Sequence, residues 1–159
     1  MGTPAQVRAA IKTKIESVAN VGFVYDYERY TDNSGKIKEL FYHGTEKRVL
    51  AWMIRRTSFQ RREFFTGEVM RLDRWVITGF MGVDDADESG NLFDALVESI
   101  SQAFVADPTL GGVVDHIGDT QNRSAAYGLS ADAIDPVMFA GILCHRATCS
   151  LITDSTESL

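Results

Sequence analysis

Apolar residues near the start of the chain, Val7, Ala10, Ile11, Ile15 and Val18, recur at helical spacing, and Arg8, Lys12, Lys14 and Glu16 fill the opposite face. Thr3 followed by Pro4 is a helix start, since threonine caps free N–H groups and proline fits the first helical position. Asn20 to Gly22 end that helix. From Phe23 to Tyr30 the pattern alternates, with Phe23, Tyr25 and Tyr27 on one side, which predicts a short strand or extended arm. Thr31 to Gly35 is turn chemistry, and Ile37, Leu40 and Phe41 predict a short helix before His43-Gly44. Alternation returns from Arg48 to Ser58 with apolar residues on both faces, the mark of a well-covered strand. A polar loop near Gln60 to Glu63 is expected next, with Val69 to Met81 as the antiparallel partner in a long hairpin.

After the hairpin come an acidic turn, Asp84 to Gly90, and an amphipathic helix from Asn91 to about Asp107. That helix buries Leu92, Phe93, Leu96, Val97, Ile100 and Phe104; Asn91 is the expected cap, and the nearby acids favour its positive end. Asp107-Pro108 stops it, and Gly111-Gly112 leads into an expected strand, Val113 to Thr120. Gln121 to Asp135 shows no clean period and reads as a long loop. A last strand is expected from Val137 to Ile152, then a frayed polar tail, residues 154–159. Together these elements predict an α+β fold: an antiparallel or mixed β-sheet with a long hairpin packed against two main helices, in a single domain spanning residues 1–159.

Composition narrows the function classes. With 159 residues and 45% hydrophobic residues the chain can bury a core. No apolar run approaches the roughly 18 residues that span a bilayer, and the start of the chain has neither a basic leader nor an apolar signal core. A net charge of −6 disfavours a general nucleic-acid binder. Cys144 and Cys149 lie five residues apart on the expected last strand, on opposite faces, so they cannot pair; a reducing, cytoplasmic site of folding follows.

Candidate chemistry is sparse. Asp85, Asp87, Ser89 and Gly90 match the opening of a calcium-binding loop, but Leu96 stands where a bidentate glutamate is required. His145 and Cys149 share a strand face yet lie roughly 13 Å apart, too far for one zinc ion, and Cys144 faces away. His43 and His116 have no fixed partner, and no phosphate loop or nucleophile elbow occurs. The reading is therefore no catalytic residue, no cofactor and no metal. Arg55, Arg56, Arg61 and Arg62 bracket the expected hairpin tip, with Arg71 and Arg74 returning on the second strand. These arginines and the acids Asp84, Asp85, Asp87 and Glu88 are the candidate interface, two oppositely charged patches suited to orienting a neighbour.

Across roughly Val7 to Thr153 the order of parts resembles the tail terminator (tail completion) proteins of long-tailed bacteriophages. The resemblance is carried by Val7-Arg-Ala-Ala-Ile, Asp73-Arg-Trp-Val-Ile-Thr, Asn91-Leu-Phe-Asp-Ala-Leu, the Asp107-Pro-Thr-Leu-Gly-Gly break, and the closing strand with Phe139, His145 and Leu151. It implies a structural α+β subunit, not an enzyme, which closes into a six-membered ring on the tail tube. Such a ring stops tube polymerisation, meets the tail tube protein on one face and the head-side connector on the other, and lets DNA pass without specific binding. The implied location is the head-proximal end of the virion tail, reached from the host cytoplasm during assembly, with no membrane partner. Competing readings are a head-closure or head–tail connector protein, a small-molecule binding module or enzyme with Gln121 to Asp135 as a lid, and a nucleic-acid binder working through the arginine hairpin.

Overall fold

The computed structural model describes residues 2–29, 34–139 and 141–158. Its elements are α1 (Pro4–Glu16), β1 (Phe23–Tyr25), α2 (Ser34–Phe41), β2 (Tyr42–His43), β3 (Arg48–Phe65), β4 (Glu68–Gly82), a 3-10 turn (Asp85–Asp87), α3 (Ser89–Val105), β5 (Ser130–Phe139) and β6 (Ile142–Ser158). The expected α+β fold is present: a mixed sheet ordered β1-β3-β4-β6-β5, with β2 also on β3 and three helices. Only β1 pairs in parallel, with β3.

The sheet is covered on both faces. Cross-strand partners share a face, so Ile54, Ile77 and Cys149 point together toward α1 and α3. That layer includes Val7, Ile11 and Ile15 of α1 and Phe93, Ile100 and Phe104 of α3. On the opposite face Ala51, Met53, Phe80 and Cys144 form a smaller cluster with Phe41 at the end of α2. Cys144 and Cys149 thus sit on opposite faces as expected, free and buried; burial pushes their thiols up to about 11 and about 12.

One close approach sets the register of the larger core. Trp52 lies opposite Gly79, and a Cβ on Gly79 would sit 2.2 Å from Trp52 Cζ3. The indole therefore lies over bare backbone, stacks on Phe93 at 5.8 Å and donates Nε1–H to the Val21 carbonyl at 2.9 Å.

Several local expectations are corrected. The Gln60–Glu63 loop is strand: β3 continues to Phe65 and the hairpin turns at Thr66-Gly67. A bulge between Arg56 and Ser58 breaks the two-residue alternation there, so the face pattern lapses while the pairing continues. α3 starts at Ser89 with Glu88 as its cap in the left-handed region (φ 53°), so Asn91 is not the cap, and Leu92 is exposed. Val113–Thr120 is a run of turns and bends rather than a strand; its one β-bridge among the described residues pairs His116 with Asp154. The expected Gln121–Asp135 loop ends at Leu129, because Ser130 begins β5. What reads as one closing strand is a hairpin, β5 and β6, with Gly141 at positive φ in its turn. The expected frayed tail is ordered strand to Ser158, with Asp154 and Ser155 buried. Of the Phe23–Tyr30 strand only Phe23–Tyr25 forms, Tyr30 and the turn residues Thr31–Asn33 lie outside the described residues, as does Leu159, and Ser34-Gly35 open α2.

Because Trp52 needs the space above Gly79, Gly79→Val should destabilise the fold by about 3 kcal/mol, at the upper end of overpacking costs. Urea unfolding of the two proteins reads this directly. A loss under about 1 kcal/mol would mean that the indole can move aside.

Candidate functional site

The functional candidates lie at the two ends of the β3–β4 hairpin. In the half toward the Thr66-Gly67 tip, the face that carries the α1–α3 core becomes polar. Arg61, Arg71 and Ser155 are opposite one another there, and Phe59, Asp73 and Thr153 form the next row inward. Asp73 is fully buried, and it accepts from Arg56 Nη1 at 3.2 Å and from Arg71 Nε at 2.9 Å. Arg71 Nη1 donates to Glu157 at 2.7 Å, and Arg61 Nε donates to the other oxygen of that carboxylate at 2.9 Å. The result is one continuous chain of charge, Arg56–Asp73–Arg71–Glu157–Arg61, across three strands. Trp75 Nε1–H closes the apolar side on the Thr153 hydroxyl at 3.0 Å.

The four arginines singled out from sequence do not bracket the tip; they lie along β3, and their charge is carried in pairs. Arg55 meets Glu28 at 3.2 Å and Arg62 meets Asp119 at 3.2 Å, while Arg56 and Arg61 belong to the chain above. Arg55 and Arg61 remain about half exposed at 56% and 51%, whereas Arg56 and Arg62 are tucked in. Arg74 has no carboxylate partner among the described residues. A nucleic-acid surface would need those guanidinium groups free for phosphate, which weakens that reading.

At the other end β4 runs through Val83 into the acidic turn, where residues 83–88 are exposed. Asp84 accepts from the Asp87 N–H, and the Ser89 hydroxyl accepts from the Asp84 N–H at 2.8 Å and contacts His145 Nε2 at 2.8 Å. Asp87 is paired with Arg48. Asp85 and Glu88 have no cationic partner among the described residues. From Arg71 to Asp84 the strand covers thirteen residues, roughly 43 Å at ~3.3 Å each, so the two ends cannot meet within one copy.

Among the described residues no group of three or more His, Cys, Asp or Glu is placed to hold a metal ion. His43 accepts from the Glu46 N–H and packs edge-on against Phe23; His116 lies by Tyr127. The loop expected as a lid walls a shallow cleft of about 310 Å³ with His116, Asp119 and Tyr127. Beneath that loop, burial pushes the Asp154 carboxyl above the usual 3.8, and Asp154 accepts from the Thr120 N–H at 2.9 Å. Its ionisation at neutral pH therefore weighs against folding, and its bonds tether the loop. No helix of the described residues is long and apolar enough to cross a membrane. Comparison with models of known protein families and with curated proteins finds no match to this chain.

Asp73, Glu157, Asp119, Thr153 and Ser155 were not singled out as site residues from sequence. The readable signal was Arg71-Leu-Asp73-Arg-Trp75, in which charges occupy the positions in register with a buried tryptophan.

Arg61, then Arg71, holds the Glu157 carboxyl below its usual 4.5. A depressed native value means that this contribution is complete above pH 4.5 and lost as pH falls through the native value. Glu157→Gln should therefore lose about 1 kcal/mol at pH 7 and show a flatter stability profile below pH 4.5 than the parent. Denaturant melts across pH 2 to 7 measure both, and parallel profiles would remove Glu157 from the network's energetics.

Proposed function

We propose that the chain is a structural, ring-forming subunit of the tail terminator type, which closes the end of a bacteriophage tail tube. The observation that carries the reading is the division of charge between the two ends of one long hairpin. Arg61 and Arg74 lie toward the tip, where Glu63 and Glu68 are also exposed; Arg55 sits near mid-strand opposite Val76; and Asp85 and Glu88 stand exposed at the other end, too far from Arg61 for contact within a protomer. Head-to-tail contact between copies brings such ends together, and a heterologous contact that closes makes a ring. Arg55, Arg56, Arg61, Arg62, Asp84, Asp85, Asp87 and Glu88 are the residues of that contact, with the half-exposed Arg55 and Arg61 reaching furthest. In this reading the ring has six members, one face meets the tail tube protein and the other the head-side connector. DNA slides through its channel, where an acidic subunit of net charge −6 avoids adhesion to phosphate. The subunit performs no chemistry; it acts in the virion tail after assembly in the host cytoplasm.

Electron microscopy of particles from the parent phage genome with the coding sequence deleted tests the role. Overlong, headless tubes restored to normal length by the returned gene are expected. Normal-length tails that fail to join heads would instead assign the connector role, and intact infectious particles would overturn both. The contact itself is tested by Asp85→Lys with Glu88→Lys, two exposed positions outside the core. The double variant should keep its melting temperature within a few degrees and lose the assembled species in sedimentation velocity. A persistent assembly would show that the acidic turn is not one side of the contact.

A further inference from the structure

Where α1 begins, the helix-side face of the sheet holds a cleft of about 330 Å³, walled by Gly2, Thr3 and Pro4 and by Arg71, Ser155 and Glu157. Its buried polar groups are short of acceptors. The Arg71 side chain is 6% exposed and gives Nε to Asp73 and Nη1 to Glu157, but its Nη2 has no partner. Ser155, directly opposite Arg71 and 1% exposed, has no partner for its hydroxyl. Arg8, one turn into α1 with its guanidinium 5.7 Å over the Trp75 ring, has a buried Nε in the same condition. Each such group left without a partner costs about 1–3 kcal/mol, so the two that belong to the walls of the cleft, Arg71 Nη2 and the Ser155 hydroxyl, ask for an occupant.

The end of α1 adds to this demand. The helix has thirteen residues, no acid in its first turn, and a capping box in which Thr3 Oγ1 accepts from the Gln6 N–H. The Ala5 N–H, one position earlier, has no acceptor within the helix by the geometry of a first turn. The position of this turn is fixed: the Gly2 N–H donates to the Val113 carbonyl at 2.9 Å, and a Cβ on Gly2 would lie 2.4 Å from Val113 Cγ1.

We infer that this cleft binds a single oxyanion, a carboxylate or phosphate group, held by Arg71 Nη2, the Ser155 hydroxyl and the first turn of α1. One free guanidinium nitrogen, one hydroxyl and one helix-end N–H supply donors from three directions, which suits one anionic group and no larger polyanion. The group comes either from a free small anion or from an acidic side chain of another copy. The inference does not rest on the ring, because the donors belong to one protomer.

Isothermal titration of the full chain with inorganic phosphate and with acetate, at constant ionic strength and pH 7, tests it. One saturable site is expected for at least one of the two, weakened about tenfold in Ser155→Ala, as loss of one hydrogen bond to a charged group implies. Ser155→Ala removes only a hydroxyl without a partner, so its unbound melting temperature should match that of the parent within a few degrees. Sedimentation at the same anion concentrations separates the sources. A falling mass as the site fills means that the anion displaces another copy's carboxylate, and an unchanged mass means a free ligand. No saturable heat with either anion, or equal affinity in parent and variant, would overturn the inference whatever the oligomeric state.

Discussion

The sheet of this protein is longer than the helices that cover it, and much of the structure follows from that mismatch. The 18 residues of β3 span roughly 60 Å at ~3.3 Å per residue, whereas the 17 residues of α3 span about 25 Å at 1.5 Å per residue. Over the covered length the strands bury Trp52, Ile54, Trp75 and Ile77, and the close approach of Trp52 to Gly79 holds β3 and β4 in one register. Toward the tip the same face meets only the first turn of α1, and the strands finish with groups that tolerate partial burial. The chain of arginines and carboxylates meets that need. Asp73, fully buried next to the Trp75 row, takes two guanidinium donors, and the charges become more exposed outward to Glu157 and Arg61.

Such a network adds less to net stability than its bond count suggests, because each buried charge first gives up its hydration. Its larger effect is on specificity. Removing one partner strands a buried charge, so β3, β4 and β6 are held in a single alignment far beyond the apolar core. The bulge at Thr57 belongs to the same device: without the extra residue, Phe59 and Arg61 would face away from Asp73 and Glu157. The network thereby links β3, β4 and β6 in the half of the sheet nearest the tip.

The sequence was legible where one physical rule acted alone. Helical spacing from Val7 to Val18 and from Phe93 to Phe104, with Thr3-Pro4 and Asp107-Pro108 as punctuation, located α1 and α3, and two-sided apolar alternation located the covered parts of β3 and β4. It was misleading where tertiary pairing overruled composition. Gln60–Glu63 and Asp154–Ser158 are polar enough to read as loop and tail, yet both are strands, because their polar side chains satisfy one another across the sheet. The β5–β6 hairpin was missed for a related reason. Both strands carry apolar residues up to the turn, and only Gly141, at positive φ, marks the reversal. The arginines were legible as a cluster, but their carboxylate partners Glu28, Asp119 and Glu157 lie too far away in the chain for spacing to reveal them.

The acidic turn serves two demands at once, and that bears on how a contact between copies would be oriented. Locally, Asp84 to Glu88 place negative charge beside the positive end of α3, which favours the helix. The Ser89 hydroxyl, between the Asp84 N–H and His145, ties the turn to β6. Asp87 is neutralised by Arg48, leaving Asp84, Asp85 and Glu88 without a cationic partner among the described residues. A loosely held acidic loop would attract any cation in several poses; one pinned to the end of the hairpin offers its charge in one direction. Toward the tip, Arg61 is held by Glu157 while remaining half exposed. In the proposed ring, the half-exposed Arg61 and the acidic turn of the next copy would favour head-to-tail order over face-to-face pairing. Curvature is then all that separates an open filament from a closed ring, and it is set by the angle between the hairpin and the contact planes at its two ends.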